Sequence, residues 1–216
     1  MNRSLNEIET HAKRAARGAG LSWGMAEEAG RATRWLAAHG LSGPEVLSDV
    51  LAQSDQRSLH RVSPPTLGGE WRAPEGDLCP FSAGTALNDC ANRLTTGQSV
   101  KMGNVAGPLL VVPFAAWAAI HLAAPVQIHW RNCRIVTDGE WIWTDDPDQE
   151  IDARRTPALT CHLANAHKET ATRPNFRGDV APEIWEKLDA FAQRTYAPAT
   201  AASRLLGAGT GLSDND

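Results

Sequence analysis

The chain has 216 residues, of which 42% are hydrophobic, and this is enough to form one compact protein of ordinary size. Its net charge of −4 and pI near 6.0 exclude the dense basic surface of a duplex nucleic-acid binder, so we expect no nucleic-acid partner. Eight tryptophans supply bulky side chains to a core that is otherwise rich in alanine.

Residues 1–53 have the spacing of three helices, which predicts an N-terminal helical subdomain. Ser4 stands three residues before Glu7, as in a capping box at the start of the first helix. The second helix is expected to begin near Ser22 or Trp23, and Pro44 is expected to open the third.

The next segment, residues 54–76, lacks periodicity and is rich in proline and glycine, which predicts a loop or linker. Residues 77–196 are expected to form an α+β subdomain. It would begin with a helix from 77 to about 93 and end with a helix over 181–195. Residues 197–216 form a glycine-rich C-terminal segment.

One stretch, Met102–Trp130, carries no formal charge and is long enough to span a bilayer. Prolines and polar residues interrupt it, so we expect no membrane partner. We interpret it as a buried strand at Leu109–Val112, a helix that begins near Pro113, and a second strand from Val126.

A hairpin is predicted next, because Asp138-Gly139 separates two alternating runs, Cys133–Thr137 and Glu140–Thr144. Ala158–Ala164 is expected to add another strand. The predicted fold class is therefore α+β. An N-terminal helical subdomain would pack against a small mixed, Trp-rich β-sheet with additional helices.

The spacing of the cysteines and the charged residues near the N-terminus both bear on the cellular location of the protein. The four cysteines are irregularly spaced, unlike those of a secreted disulfide scaffold. Charged residues near the N-terminus leave no apolar signal-peptide core, which predicts a cytoplasmic location with reduced thiols.

Three residues are candidate catalytic groups. Cys79 precedes Pro80 at a predicted helix start, where the helix dipole would lower the pKa of the thiol and favour a nucleophile. The alternative is a small buried hydrophobe. His121 falls on an apolar helix face, as either a general base or an ordinary core histidine, and Tyr196 is a second candidate for proton transfer.

The C-terminal segment contains the candidate substrate-binding residues. Arg204 could pair with a carboxylate or phosphate, while the backbone amides of Gly207 and Gly209 approach the same group. Asp214 completes this set, and the alternative is a flexible tail.

Two groups of potential metal ligands occur, namely Cys161, His162 and His167, and Asp145, Asp146 and Asp148. The first matches no strong zinc spacing, and its adjacent members would point to opposite faces of a strand. The second lacks the rest of a calcium loop. We therefore predict no metal site, and the sequence identifies no cofactor.

Several runs resemble a bacterial family of uncharacterised proteins that is known only as a domain of unknown function. They are Ser4–Glu9, Ala15–Gly20, Ser22–Gly24, Ala26–Gly30 and Arg34–Leu36, together with Arg194–Tyr196, Pro198, Ser203–Arg204, Gly207–Gly209 and Asp214–Asp216. The resemblance is expected to cover most of the chain, and it implies no reaction, cofactor or catalytic residue.

The function predicted from these patterns is that of a small-molecule metabolic enzyme, or its partner subunit, that acts on a polar, anionic metabolite. Its site is expected between the helical and sheet parts. The alternative is a non-catalytic protein-binding or assembly module, which alanine-rich helices and clustered tryptophans would supply with an interface. Either a homo-oligomer or a complex with a partner subunit is expected.

Overall fold

The structure, a computed structural model, describes residues 1–95, 97–145, 150–164 and 174–196. Within these ranges the chain forms helices, a mixed sheet of six strands and a separate pair of strands. The predicted α+β class is confirmed.

The N-terminal helices follow a short strand, and their bounds are β1 Asn2–Ser4, α1 Leu5–Gly18, α2 Trp23–Ala38 and α3 Gly43–Ser54. Glu7 N–H donates to Ser4 Oγ at 3.2 Å, and Ser4 N–H donates to a Glu7 carboxylate oxygen at 2.9 Å. The capping box and the three predicted helices are therefore confirmed.

The middle of the chain contains short elements, namely α4 Leu59–Val62, β2 Glu70–Trp71, α5 Pro80–Asp89 and α6 Asn92–Thr95. The predicted helix from 77 to about 93 is wrong in extent, because α5 ends at Asp89 and Cys90 begins a turn. Asn88 and Asp89 precede this end, and short polar side chains of this kind compete with helical hydrogen bonds.

The six-stranded sheet has the order β2-β3-β7-β4-β5-β6, in which only the β2–β3 pair is parallel. Its remaining strands are β3 Val100–Ala106, β4 Val126–Trp130, β5 Cys133–Thr137, β6 Ile142–Asp145 and β7 Arg155–Leu163. The hairpin of β5 and β6 is confirmed. Thr137 lies opposite Ile142, so its loop is longer than the predicted Asp138-Gly139 turn.

The predicted strand at Leu109–Val112 is wrong. Pro108–Val111 forms a 3₁₀ turn that leads directly into α7, Val112–Leu122, and the strand before them is β3. Gly107, with a φ of 47°, separates β3 from the 3₁₀ turn. A short apolar run between prolines has no periodicity that distinguishes a buried strand from a buried helix, which explains the error.

The last elements pack on the N-terminal helices. They are β8 Arg177–Asp179, which pairs with β1, helix α8 Pro182–Ala192, and a 3₁₀ turn at Gln193–Thr195. A Cβ on Gly18 would lie 1.8 Å from the Phe191 carbonyl oxygen, so α1 and α8 are in close contact.

One main hydrophobic core joins the helices to the six-stranded sheet. Trp71, Phe81, Phe114 and Trp130 are its largest fully buried side chains. It includes residues from both 1–53 and 77–196, whose division into subdomains stays a prediction. None of the described helices combines the length and apolar character needed to cross a bilayer.

Candidate functional site

A cleft of about 290 Å³ lies where the C-terminal end of α3, the N-terminal end of α5 and the adjoining ends of β3 and β7 meet. Apolar side chains and the Cys79 thiol form part of its wall. Its charged residues are Arg57, Asp77 and Arg155. We call this space the arginine cleft.

The loop after α3 carries Arg57. Gln56 turns the chain with a φ of 55°, and its backbone N–H donates to the Ala19 carbonyl at 2.9 Å. Its side-chain amide donates to the Gly18 carbonyl at 3.0 Å, so the loop is anchored to the end of α1. A Cβ on Gly76 would lie 3.2 Å from Arg57 Nη1, which places the guanidinium against the Gly76 backbone.

The segment that carries Asp77 and Cys79 is fixed from both sides. Leu78 N–H donates to the Asn104 carbonyl at 2.6 Å, and the Leu78 carbonyl accepts from the backbone of β3 at 3.1 Å. Cys79 N–H donates to the Val62 carbonyl at 2.8 Å. Because hydrogen bonds to α4 and β3 hold this backbone, the Cα atoms of Asp77 and Cys79 are fixed in position at the cleft.

Arg155 reaches the cleft from the first position of β7, directly opposite Ala106 on β3. The side chain and the backbone of its neighbour Arg154 are both held in place. Arg154 Nε lies 3.0 Å from Asp49 Oδ2, and the Arg154 carbonyl accepts a hydrogen bond from Gly107 N–H at 2.8 Å. The fold therefore holds the backbone at Arg155 while its side chain lines the cleft.

The charged groups of the cleft lack partners within the described part of the chain. The side chains of Arg57, Asp77 and Arg155 form no hydrogen bond or ion pair there, whereas every other described arginine side chain has such a partner. Two cations without a protein partner, both of them exposed to solvent, and one half-buried anion thus border the same small space. Their formal sum is positive, which favours an anionic ligand.

Cys79 is the predicted catalytic residue that lines this cleft. It is the N-cap of α5 and is only 8% exposed. Burial raises the pKa of the Cys79 thiol, although the backbone N–H groups of Ser82 and Phe81 act in the opposite direction. The expected lowering of this pKa is therefore wrong, because loss of water outweighs the effect of the helix start.

His121 and Tyr196 do not line the arginine cleft. His121 is exposed in the last turn of α7, so its predicted position on a buried apolar face is wrong. The turns of α7 that are buried lie nearer its N-terminus. Tyr196 is 52% exposed, and its hydroxyl accepts a hydrogen bond from Arg14 Nη1 at 2.7 Å. The structure does not bring the three predicted catalytic residues together.

The predicted substrate-binding residues lie outside the described residues, and they are Arg204, Gly207, Gly209 and Asp214. So do three of the potential metal ligands, His167, Asp146 and Asp148. In the ranges that the structure does describe, no three His, Cys, Asp or Glu side chains are grouped so that they could hold a metal ion.

A second cleft of about 650 Å³ lies between α1, α2, α7 and the β5–β6 loop. Its arginines are already paired. Arg34 Nη1 is 2.7 Å from Glu9, and Arg31 Nη1 is 3.0 Å from Glu28. An anion would have to compete with these carboxylates, which makes this space a weaker anion site than the arginine cleft.

The comparison with protein families bears on the first part of the chain. Residues 3–79 match the family described as Protein of unknown function (DUF3726). The resemblance to a family of unknown function is confirmed for this segment, which is shorter than the predicted coverage. It contains Arg57, Asp77 and Cys79, whereas Arg155 lies beyond it. No curated protein and no solved structure matches the chain.

Proposed function

We propose that the protein binds a small anionic metabolite in the arginine cleft, as an enzyme or as the partner subunit of one. The observation that carries this proposal is that the two described arginines without a protein partner, Arg57 and Arg155, line one cleft. Arginine guanidinium groups recognise carboxylates and phosphates through paired, charge-assisted hydrogen bonds.

The size and lining of the cleft support a small ligand. A volume of about 290 Å³ is close to the lower limit for ligand pockets, and Gly76, Asp77 and Arg155 also line an adjoining space of about 690 Å³. Val50, Val62, Pro80 and Ala106 offer apolar contacts beside the charged groups. The raised pKa of Cys79 keeps this thiol neutral, so it adds no negative charge that would repel an anion.

The proposal is tested by calorimetric titration of the full chain at low ionic strength with L-glutamate, glutarate, succinate and inorganic phosphate. Arg57→Gln and Arg155→Gln should each weaken the binding of the best anion about tenfold, because each removes one charge-assisted contact. Arg134→Gln is the matched control, since Arg134 pairs with Asp145 on the hairpin, 3.4 Å away, and does not line the cleft.

Either of two results would contradict anion binding in the arginine cleft. If none of the four anions binds the wild-type protein, or if the control variant weakens binding as much as Arg57→Gln and Arg155→Gln do, the arginine cleft is not an anion site. Thermal unfolding gives a second readout, because a ligand at a hundred times its Kd adds about 2.7 kcal/mol to the free energy of unfolding.

The predicted alternative, a protein-binding or assembly module, has a specific observation in its favour. Phe176 is 93% exposed and Ile120 is 60% exposed, and both line the larger cleft. Self-association through this face would appear as a molar mass above 23.3 kDa in light scattering. Phe176→Ser should then return the mass to that of one chain without altering anion binding.

The proposed compartment is the cytoplasm.

A further inference from the structure

The unpaired charges of the arginine cleft specify more than an anion. Arg57 and Arg155 supply two positive charges, and Asp77 supplies one negative charge. Provided that the proposed function holds, we infer that the ligand is a short amino dicarboxylate, a molecule with two carboxylates and one ammonium group. Its charges are the complement of the three that line the cleft.

Each charged group of such a ligand meets a partner. One carboxylate binds the guanidinium of Arg57, the other binds that of Arg155, and the ammonium group donates to the carboxylate of Asp77. All three protein side chains line the same cleft of about 290 Å³. A skeleton of four or five carbons fits this volume and places its methylene groups against Val50 and Ala106.

Simpler ligands leave one charge of the cleft without compensation. A plain dicarboxylate satisfies both arginines but brings two negative groups beside Asp77, which the ligand does not pair. An amino acid with one carboxylate pairs with Asp77 and with one arginine and leaves the other arginine to solvent, so it gains one ion pair fewer. The amino dicarboxylate is therefore the charge pattern that this cleft selects.

The wild-type protein provides the first test. L-glutamate is compared with glutarate, which has the same carbon chain without the amine, and with L-norvaline, which lacks the second carboxylate. We expect L-glutamate to bind at least tenfold more tightly than either analogue in calorimetric titrations. L-aspartate and succinate form the same comparison with a shorter chain. Equal affinity for each pair of amine and non-amine acids would overturn the inference.

The substitution Asp77→Asn is the second test. It should weaken L-glutamate binding about tenfold, because the ammonium group loses its charged partner, and it should strengthen glutarate binding several-fold, because a repulsive charge disappears. Asp77 lies two residues before the N-cap of α5, and Asp77→Ser provides a second variant at the same position. Thermal unfolding checks that both variants fold, and Arg134→Gln again serves as the control.

The possible failures separate the inference from the proposed function. If Asp77→Asn changes the affinities for L-glutamate and glutarate by the same factor, Asp77 does not bind the ligand's ammonium group and the inference is wrong. The proposed binding of anions would be unaffected by this result. If Arg57→Gln and Arg155→Gln leave the binding of every acid unchanged, the proposed function itself fails, and the inference fails with it.

Discussion

Gly84 permits the contact that holds α5 against α7, and its substitution by alanine tests this packing. A Cβ at this position would lie 2.2 Å from Phe114 Cδ2 and 2.4 Å from Phe114 Cγ, and Phe114 is fully buried. Inside a helix, replacing glycine by alanine raises the free energy of unfolding by about 1 kcal/mol when there is room for the methyl group. The contact lies far inside van der Waals distance and the ring is fully buried, so the cost falls at the upper end of the range for overpacked cores, about 2–3 kcal/mol.

We therefore expect Gly84→Ala to lower the free energy of unfolding by about 1–2 kcal/mol. In a protein of this size the Tm should fall by about 2–8 °C in differential scanning calorimetry. Gly24→Ala is the matched control, because Gly24 also lies in a helix but no atom lies within 4 Å of its added Cβ. The control should keep or raise the Tm. If Gly84→Ala raises the Tm as well, the described α5–α7 packing is wrong.

Three further changes test the fold and the site. Ser4→Ala should lower the free energy of unfolding by about 0.5–2 kcal/mol in urea titrations, and an unchanged midpoint would contradict the capping box. Burial, with Asp152 nearby, raises the pKa of Glu45 above its unfolded value near 4.5, so its carboxylate opposes folding at neutral pH. Glu45→Gln should thus stabilise the protein at pH 7 and lose this gain below pH 4, and a constant gain would refute the reasoning. Gly76→Ala strains a backbone with a φ of 70° and displaces Arg57, so anion affinity measured by calorimetry should fall; equal affinity would contradict this placement.

Short sequence patterns correctly predicted the helix starts that depend on interactions within one helical turn. The helix starts at Ser4 and Pro44 could be read from the sequence, because capping side chains and proline act within one turn. Strand β3 could not be read in this way. It contains Gly103, whose missing side chain leaves room for Arg72, and Asn104, whose φ is 51°. Its strand conformation comes from pairing with β2 and β7.

The candidate site was predicted less completely, since only Cys79 among its charged or reactive residues came from the sequence. Arg57 and Arg155 are distant in the chain, and whether an arginine has a partner depends on tertiary contacts. One local signal was available at Asp77, because it follows Gly76 and lies two residues before the N-cap of α5. The position of Cys79 before the same helix wrongly predicted a lowered thiol pKa, because the burial of Cys79 depends on tertiary contacts that its sequence neighbours do not show.

The central claim is that Arg57 and Arg155 together bind one anion, and the side-chain ¹⁵Nε signals of the arginines measure this most directly. In an NMR titration of the full chain with L-glutamate, the signals of Arg57 and Arg155 should shift and saturate with the same Kd. The signal of Arg134, which is paired with Asp145, should stay in place. Shifts that never saturate, or that appear equally at Arg134, would contradict binding in the arginine cleft.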